Sequence, residues 1–151
     1  MAVSFRGASE LSLDAKGRLA MPARYRETLV DFCGGDIVVT IDYARDKYLL
    51  VYPRPHWEVF QEKLMAWPNF DPDVRMVQRM MLGYATDTKM DGSGRILLTP
   101  ALRKYAGLEK QVVLIGQNHR FELWNQDTWE ETREAVAWSP ELAQKLESFS
   151  R

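Results

Sequence analysis

The sequence predicts an α+β protein made of two pseudo-symmetric copies of one small β-barrel unit, packed together and flanked by helices. Three observations lead there. The segment Leu13-Asp14-Ala15-Lys16-Gly17-Arg18-Leu19-Ala20-Met21 returns as Met90-Asp91-Gly92-Ser93-Gly94-Arg95-Ile96-Leu97-Leu98, with the aspartate and the arginine both displaced by 77 residues. Tyr52 and Trp57 are answered by Trp124 and Trp129, each 72 residues on. Both halves also show the same succession of strand, turn, strand, short helix, hairpin and helix, as a duplicated unit would. The Pro22-Ala23 and Pro100-Ala101 pairs lie 78 apart, so the second copy is expected to carry one additional residue as a bulge.

In chain order, Leu11-Ser12-Leu13 alternates like a strand, Ala15-Lys16-Gly17 turns the chain, and Leu19-Ala20-Met21 resumes a strand. Pro22 suits a first helical position, where its missing N–H is no loss. Tyr25, Leu29 and Phe32 then recur at helical spacing until Gly34-Gly35. Ile37–Ile41 and Tyr48–Tyr52 are β-branched and aromatic runs around a polar turn, hence a hairpin. A helix follows with Trp57, Phe60, Leu64 and Trp67 along one side. Asp71-Pro72 opens another, apolar at Val74, Val77, Met80, Met81 and Tyr84. In the second half Thr99-Pro100 starts a helix, Val112–Ile115 and Phe121–Trp124 form the hairpin, and Asp127 with Glu130 resembles a capping box. A short polar helix is expected after Ser139-Pro140. A unit of roughly 60 residues is marginal alone, so the halves are expected to pack face to face, with the tryptophan-bearing helices covering the barrel or contacting other subunits.

Composition narrows the function classes. At 151 residues the chain suits one compact domain or two very small ones. No apolar run approaches membrane-span length, and the N-terminus lacks the apolar core of a secretion signal, so the expected location is cytoplasmic. A single cysteine, Cys33, excludes an internal disulfide. The net charge of −1 hides an uneven distribution. Up to Arg26 the balance is +3, whereas from Glu122 onward it is −4. A basic face near the start would meet phosphate while the acidic tail stays away from it.

The repeated Asp-x-x-x-Arg frame is the leading candidate site: Asp14 with Arg18, and Asp91 with Arg95. A guanidinium is planar and permanently charged, so an outward arginine fixed by its aspartate would clamp phosphate or read guanine in a major groove. The competing reading makes Asp and Gly ordinary turn residues and the pair an exposed ion bridge of small energetic value. Lys16 and Arg24 join the candidate set on local charge, and the first turn, being the more basic, is expected to dominate. Other motifs fail. Gly92-x-Gly94 is too short for a dinucleotide fingerprint. Asp87-x-Lys89-x-Asp91-Gly92 places a lysine at a calcium-ligand position. His56 and His119 stand in different halves with no neighbouring Cys or His, which favours surface or helix-start roles over metal binding. No catalytic residues, cofactor or metal are expected.

These residues resemble the MraZ family, whose units belong to the AbrB/SpoVT/MazE class of swapped-hairpin DNA-binding folds. The landmarks run through nearly the whole chain: Phe5-Arg6-Gly7, Leu13–Arg18, Tyr25-Arg26-Glu27, Leu49–Pro53, Gln78-Arg79, Asp91–Leu98 and Phe121–Trp124. The resemblance implies swapped-hairpin units at 7–54 and 83–126, a helical connector at 55–82 and a C-terminal helical segment at 127–151. It implies a nucleoid-associated transcriptional regulator, usually a repressor. Such a protein binds repeated promoter elements of the division and cell-wall gene cluster that includes its own gene, and assembles as a ring-shaped homo-oligomer. Carried over by position, Asp14 and Arg18 serve one DNA-facing turn, with Asp91 and Arg95 at its counterpart. The partners implied are double-stranded DNA and further copies of the chain.

Two other readings stand beside it. A protein-interaction module would hold a partner through Trp57, Trp67, Trp129 and Trp138. An enzyme would need paired carboxylates across one cleft, and nothing in the spacing of Asp14 and Asp91 places them so.

Overall fold

The computed structural model describes residues 3–150. Along the chain run β1 (Phe5–Ser12), β2 (Arg18–Ala20), α1 (Ala23–Cys33), β3 (Asp36–Ile41), β4 (Leu49–Pro53), α2 (Arg54–Ala66) and α3 (Pro72–Tyr84). The second half adds β5 (Thr86–Lys89), β6 (Arg95–Leu97), α4 (Pro100–Tyr105), β7 (Gln111–Asn118), β8 (Phe121–Asn125), α5 (Gln126–Ala135) and α6 (Pro140–Ser150). The architecture is α+β. Six strands form one antiparallel sheet in the order β1-β7-β8-β4-β3-β5, and β2 pairs only with β6 in a separate two-stranded ribbon.

The two halves interleave; they do not meet face to face as finished units. β1 pairs over its whole length with β7 of the other half, from Phe5↔Asn118 to Ser12↔Gln111. β5 pairs in turn with β3 of the first half, from Asp36↔Lys89 to Val39↔Thr86. Each half thus lends its leading strand to the other half's hairpin, which satisfies backbone groups that no strand of its own half would meet. The remaining pairings are self-symmetric: Leu19 lies opposite Ile96, and Leu50 opposite Glu122. An approximate two-fold axis runs through both points.

Strand periodicity separates two cores. On the inner face of the large sheet, Ile37, Val39, Leu49, Val51, Leu114 and Leu123 pack with Leu19 and Ile96 of the ribbon and with Leu29 and Leu102 of α1 and α4. On the outer face, Val38, Leu50 and Tyr52 pack against Trp57 and Leu64 of α2 and Met81 of α3. Buried Gln78 of α3 donates to the carbonyls of Leu64 and Trp67 at 2.9 and 3.0 Å, serving the open C-terminal end of α2. The ribbon is only three residues long on each strand, yet Leu19 and Ile96 are wholly buried. Each such burial stabilises by about 1.5–3 kcal/mol, so the ribbon is fixed by packing more than by its few hydrogen bonds.

Several expectations need correction. The second copy carries no additional residue before its helix. Pro22 and Thr99 both occupy the N-cap, so the spacing of 77 continues into α1 and α4. Pro22 sits in extended backbone (φ −53, ψ 141) whereas Pro100 begins the helix; matching the prolines by identity compared two different positions. The β2–β6 register is one-to-one, with no bulge. The spacing shortens later, where residues 42–48 link β3 to β4 but only 119–120 link β7 to β8. Helix α5 is capped by Asn125, whose Oδ1 accepts the Thr128 N–H at 3.0 Å, and not by Asp127. β1 reaches back to Phe5, and β5 is a strand without a long apolar run. Both owe their form to pairing with the other half. The helix after Ser139 forms, with no buried residue, and Arg151 lies outside the described residues.

The glycines of the two motif turns combine left-handed backbone with close contacts from the opposite half. Gly17 and Gly94 have φ of 79° and 77°, a region that side chains with a Cβ rarely adopt. A Cβ on Gly94 would fall 2.4 Å from Arg26 Nε, and one on Gly17 2.7 Å from Arg103 Nε. Each arginine therefore lies over the turn of the opposite half. Gly94→Ala is expected to lower unfolding stability by about 1–2 kcal/mol in denaturant titration. Gly92→Ala, with nothing within 4 Å of the new methyl, should stay within roughly 0.5 kcal/mol of the parent.

Candidate nucleic-acid interface

The two motif turns share one hydrogen-bonding scheme. Asp14 Oδ1 accepts the backbone N–H groups of Lys16 and Arg18, both at 2.9 Å, and Oδ2 accepts Arg18 Nε at 2.7 Å. In the second turn Asp91 Oδ1 accepts the N–H groups of Ser93 and Arg95 at 2.9 Å, and Oδ2 accepts Arg95 Nε at 3.1 Å. The turns close with Gly17 N–H to Asp14 O and Gly94 N–H to Asp91 O, each 2.9 Å. One carboxylate thereby fixes both the loop backbone and the direction of the guanidinium. The Arg18 backbone N–H is the main cause holding the Asp14 carboxyl below its ordinary pKa, and Arg95 N–H acts likewise on Asp91. Partial desolvation opposes the shift in both.

The ribbon decides where the arginines point. Directly paired residues of an antiparallel ribbon share a face, and successive residues alternate. Arg18 pairs with Leu97 and Ala20 with Arg95, so these four occupy one face while Leu19 and Ile96 fill the other. The second face is the buried one. Arg18 and Arg95 consequently stand on the same outward face, diagonal to each other, with Cα atoms roughly 8 Å apart by strand geometry. Half-exposed ion pairs of this kind contribute little to stability. Their effect is to aim the side chains.

The other candidates distribute unevenly. Lys16 is exposed in the first turn; Ser93 stands at its counterpart. Arg24 is turned towards β1: its Nη2 donates to Ser9 Oγ at 2.6 Å and its guanidinium lies 4.6 Å from the centre of the Tyr25 ring. Arg26 and Arg103 were not singled out from sequence, although they preserve the same spacing of 77. They repeat one contact, Arg26 Nε to Met21 O at 2.7 Å and Arg103 Nε to Leu98 O at 3.2 Å. Extending the repeat frame past the prolines would have found them. A cleft of about 580 Å³ adjoins the first turn, lined in part by Asp14, Gly17, Arg103 and Lys110.

His56 and His119, expected to be unrelated, come together with ring centroids 4.9 Å apart. The fold joins them because α2 begins beside the β7–β8 turn, where His56 Nδ1–H donates to the His119 carbonyl at 2.8 Å. No group of three or more potential metal ligands forms among the described residues. No helix there is long and apolar enough to cross a membrane.

The comparisons with known proteins agree along the chain. A family model described as "MraZ protein, putative antitoxin-like" matches residues 4–80 and again 81–147. A relative named transcriptional regulator MraZ from Thioalkalivibrio sulfidiphilus is 55% identical over 130 residues, covering 86% of this chain and 85% of its own. One of the same name from Halorhodospira halophila is 49% identical over 151 residues, covering 97% of this chain and 99% of its own. Another, from Pseudomonas aeruginosa, is 50% identical over 131 residues, covering 87% and 86%. With both halves matched by one model and relatives at about half identity over most of its length, the chain belongs to the MraZ family.

Proposed function

We propose that this protein is a sequence-specific DNA-binding transcriptional regulator whose contact surface is the outward face of the β2–β6 ribbon. The observation that carries the reading is the placement of Arg18 and Arg95 on one exposed face, each directed by its own aspartate. Two arginines whose Cα atoms stand roughly 8 Å apart on one ribbon face can reach into one major groove, about 12 Å wide, where arginine pairs with guanine O6 and N7. Asp14 and Asp91 act as positioning residues; Lys16 contributes phosphate contact beside the first turn. Arg24, held on β1, takes a flanking role at most. We read residues 7–54 and 83–126 as two swapped-hairpin units of the AbrB kind, joined by 55–82 and followed by 127–151.

A single subunit offers few cations for a duplex. A ring-shaped homo-oligomer would present the same patch repeatedly, and linked contacts of this sort raise avidity by roughly 10²–10⁴ when geometry allows simultaneous engagement. Tandem promoter elements follow as the natural target. From the resemblance to the family we infer that these lie ahead of the division and cell-wall gene cluster, including the protein's own gene, with repression by blocking polymerase. The relatives' printed name, transcriptional regulator, supports the coarser part of this reading.

Three outcomes follow. Arg18→Ala is expected to abolish specific retardation of the upstream repeats in gel shift at moderate salt while leaving the elution volume of the oligomer unchanged; Arg95→Ala should weaken it less. Wild-type affinity in Arg18→Ala would remove the ribbon from the interface. Binding should also fall by roughly 10³-fold or more between about 50 and 200 mM salt if six or more phosphates are engaged. A nearly flat salt response would contradict a phosphate-rich contact. Finally, because their folded pKa is lowered, Asp14 and Asp91 stabilise the turns above the unfolded carboxyl range and lose that contribution only as pH falls through the folded value. Carboxyl carbon titrations should therefore give midpoints below 3.8 for both, and the turns should keep their form at neutral pH.

A further inference from the structure

On the far side of the large sheet from the ribbon lies a second cleft, of about 310 Å³, between α2 and the β7–β8 turn. Its walls include Tyr52, His56, Phe60, Lys63, His119 and Arg120. Two features set it apart. Its lining contains two cations and two imidazoles but no carboxylate. It also holds two buried polar atoms that lack a well-formed hydrogen bond, the Tyr52 hydroxyl and Arg120 Nε; the two side chains meet each other, with the Arg120 guanidinium 5.9 Å from the Tyr52 ring centre and close enough to offset part of the pKa rise that burial gives the Tyr52 hydroxyl. A buried donor left without an acceptor is unfavourable, and native structures rarely keep one without a use.

The pseudo-symmetric partner position shows what is lacking. Trp124, the counterpart of Tyr52, donates its Nε1–H to Glu122 Oε1 at 3.0 Å. The residue corresponding to Glu122 in the first half is Leu50, which offers no acceptor. One half supplies its own carboxylate to the buried aromatic donor, and the other leaves that place to something external. Tyr52, only 2% exposed, stacks beneath Phe60 with centroids 5.4 Å apart, so the apolar wall of the cleft is the half-buried Phe60 ring. The His56 ring is held by its bond to the His119 carbonyl and by Phe32, 4.8 Å between centroids.

We propose that this cleft binds a small organic carboxylate with a flat apolar body. The carboxylate accepts from Arg120 in front of the buried Tyr52 hydroxyl, with Lys63 nearby, and the body lies on Phe60. The volume stands at the lower end for small-molecule sites. The proposal is independent of nucleic-acid binding, because the residues belong to the opposite face of the sheet.

The test uses the full chain without DNA, with ¹³C-labelled histidine rings as reporters. Benzoate should shift the His56 and His119 resonances saturably. Benzyl alcohol and inorganic phosphate, which lack the charge and the apolar body respectively, should bind at least tenfold more weakly. Arg120→Gln should weaken benzoate at least tenfold. Val59→Trp, an exposed residue on the rim, should block it while leaving the thermal transition in place. Absence of a saturable shift, equal response to benzyl alcohol or phosphate, or unchanged affinity in Arg120→Gln would overturn the proposal. So would histidine shifts that follow protein dilution alone, which would show that a second copy of the chain covers the cleft.

Discussion

The whole structure depends on the pairing of β2 with β6. Each is three residues long and has no other strand to bond, so each exists only because the opposite half supplies its partner. The contact between Leu19 and Ile96 on the two-fold axis inserts the ribbon into the inner core. From that single anchor follow the outward face with Arg18 and Arg95, the placement of Gly17 and Gly94 at its ends, and the backbone bonds Met21 N–H to Gly94 O and Leu98 N–H to Gly17 O. Arg26 and Arg103 then close over the opposite turns. The spacing between the two motif arginines is thus a property of the core, set without any contact between the arginines themselves.

Much of the local structure was legible because it is dictated locally. β-Branched runs gave the two hairpins, helical spacing gave α1 to α3, and Thr99 and Asp71 cap the helices they precede. What escaped was non-local. Periodicity reports which face of a strand is apolar but not which strand lies beside it, so the exchange of β1 and β5 between halves left no mark in their own sequences. Over Arg6, Gly7, Ala8 and Ser9, β1 shows no apolar alternation; these residues are strand because β7 pairs with each of them. The prolines misled for a related reason. Residue identity suggested that Pro22 matches Pro100, whereas the recurring geometry, with Met21 and Leu98 both accepting an arginine Nε, aligns Pro22 with Thr99. Both Asp-x-x-x-Arg pairs were visible as spacing, but their shared outward face needed the register of the ribbon. The meeting of His56 with His119 needed the tertiary fold.

The large sheet divides the molecule into two chemically different sides. Towards the ribbon lie the directed arginines and a cleft of mixed charge; towards α2 and α3 lie aromatic rings and a smaller cationic cleft. The duplication that built the molecule has been relaxed unequally on the two sides. The turns remain nearly identical in hydrogen bonding, whereas the outer faces have diverged, Tyr52 against Trp124 and Leu50 against Glu122.

The exchange of leading strands also governs how the chain comes to be folded. Ser12 and Gln111, hydrogen-bonded neighbours across β1 and β7, are 99 positions apart. During synthesis the hairpin of β3 and β4 and the helices behind it have their partners early, but β1 and β2 must wait as bare edges until the distal half emerges. The large sheet and the ribbon therefore close only once both halves are present, because β1–β7, β2–β6 and β3–β5 all pair across them. A duplication that began as two equivalent parts has become one indivisible body.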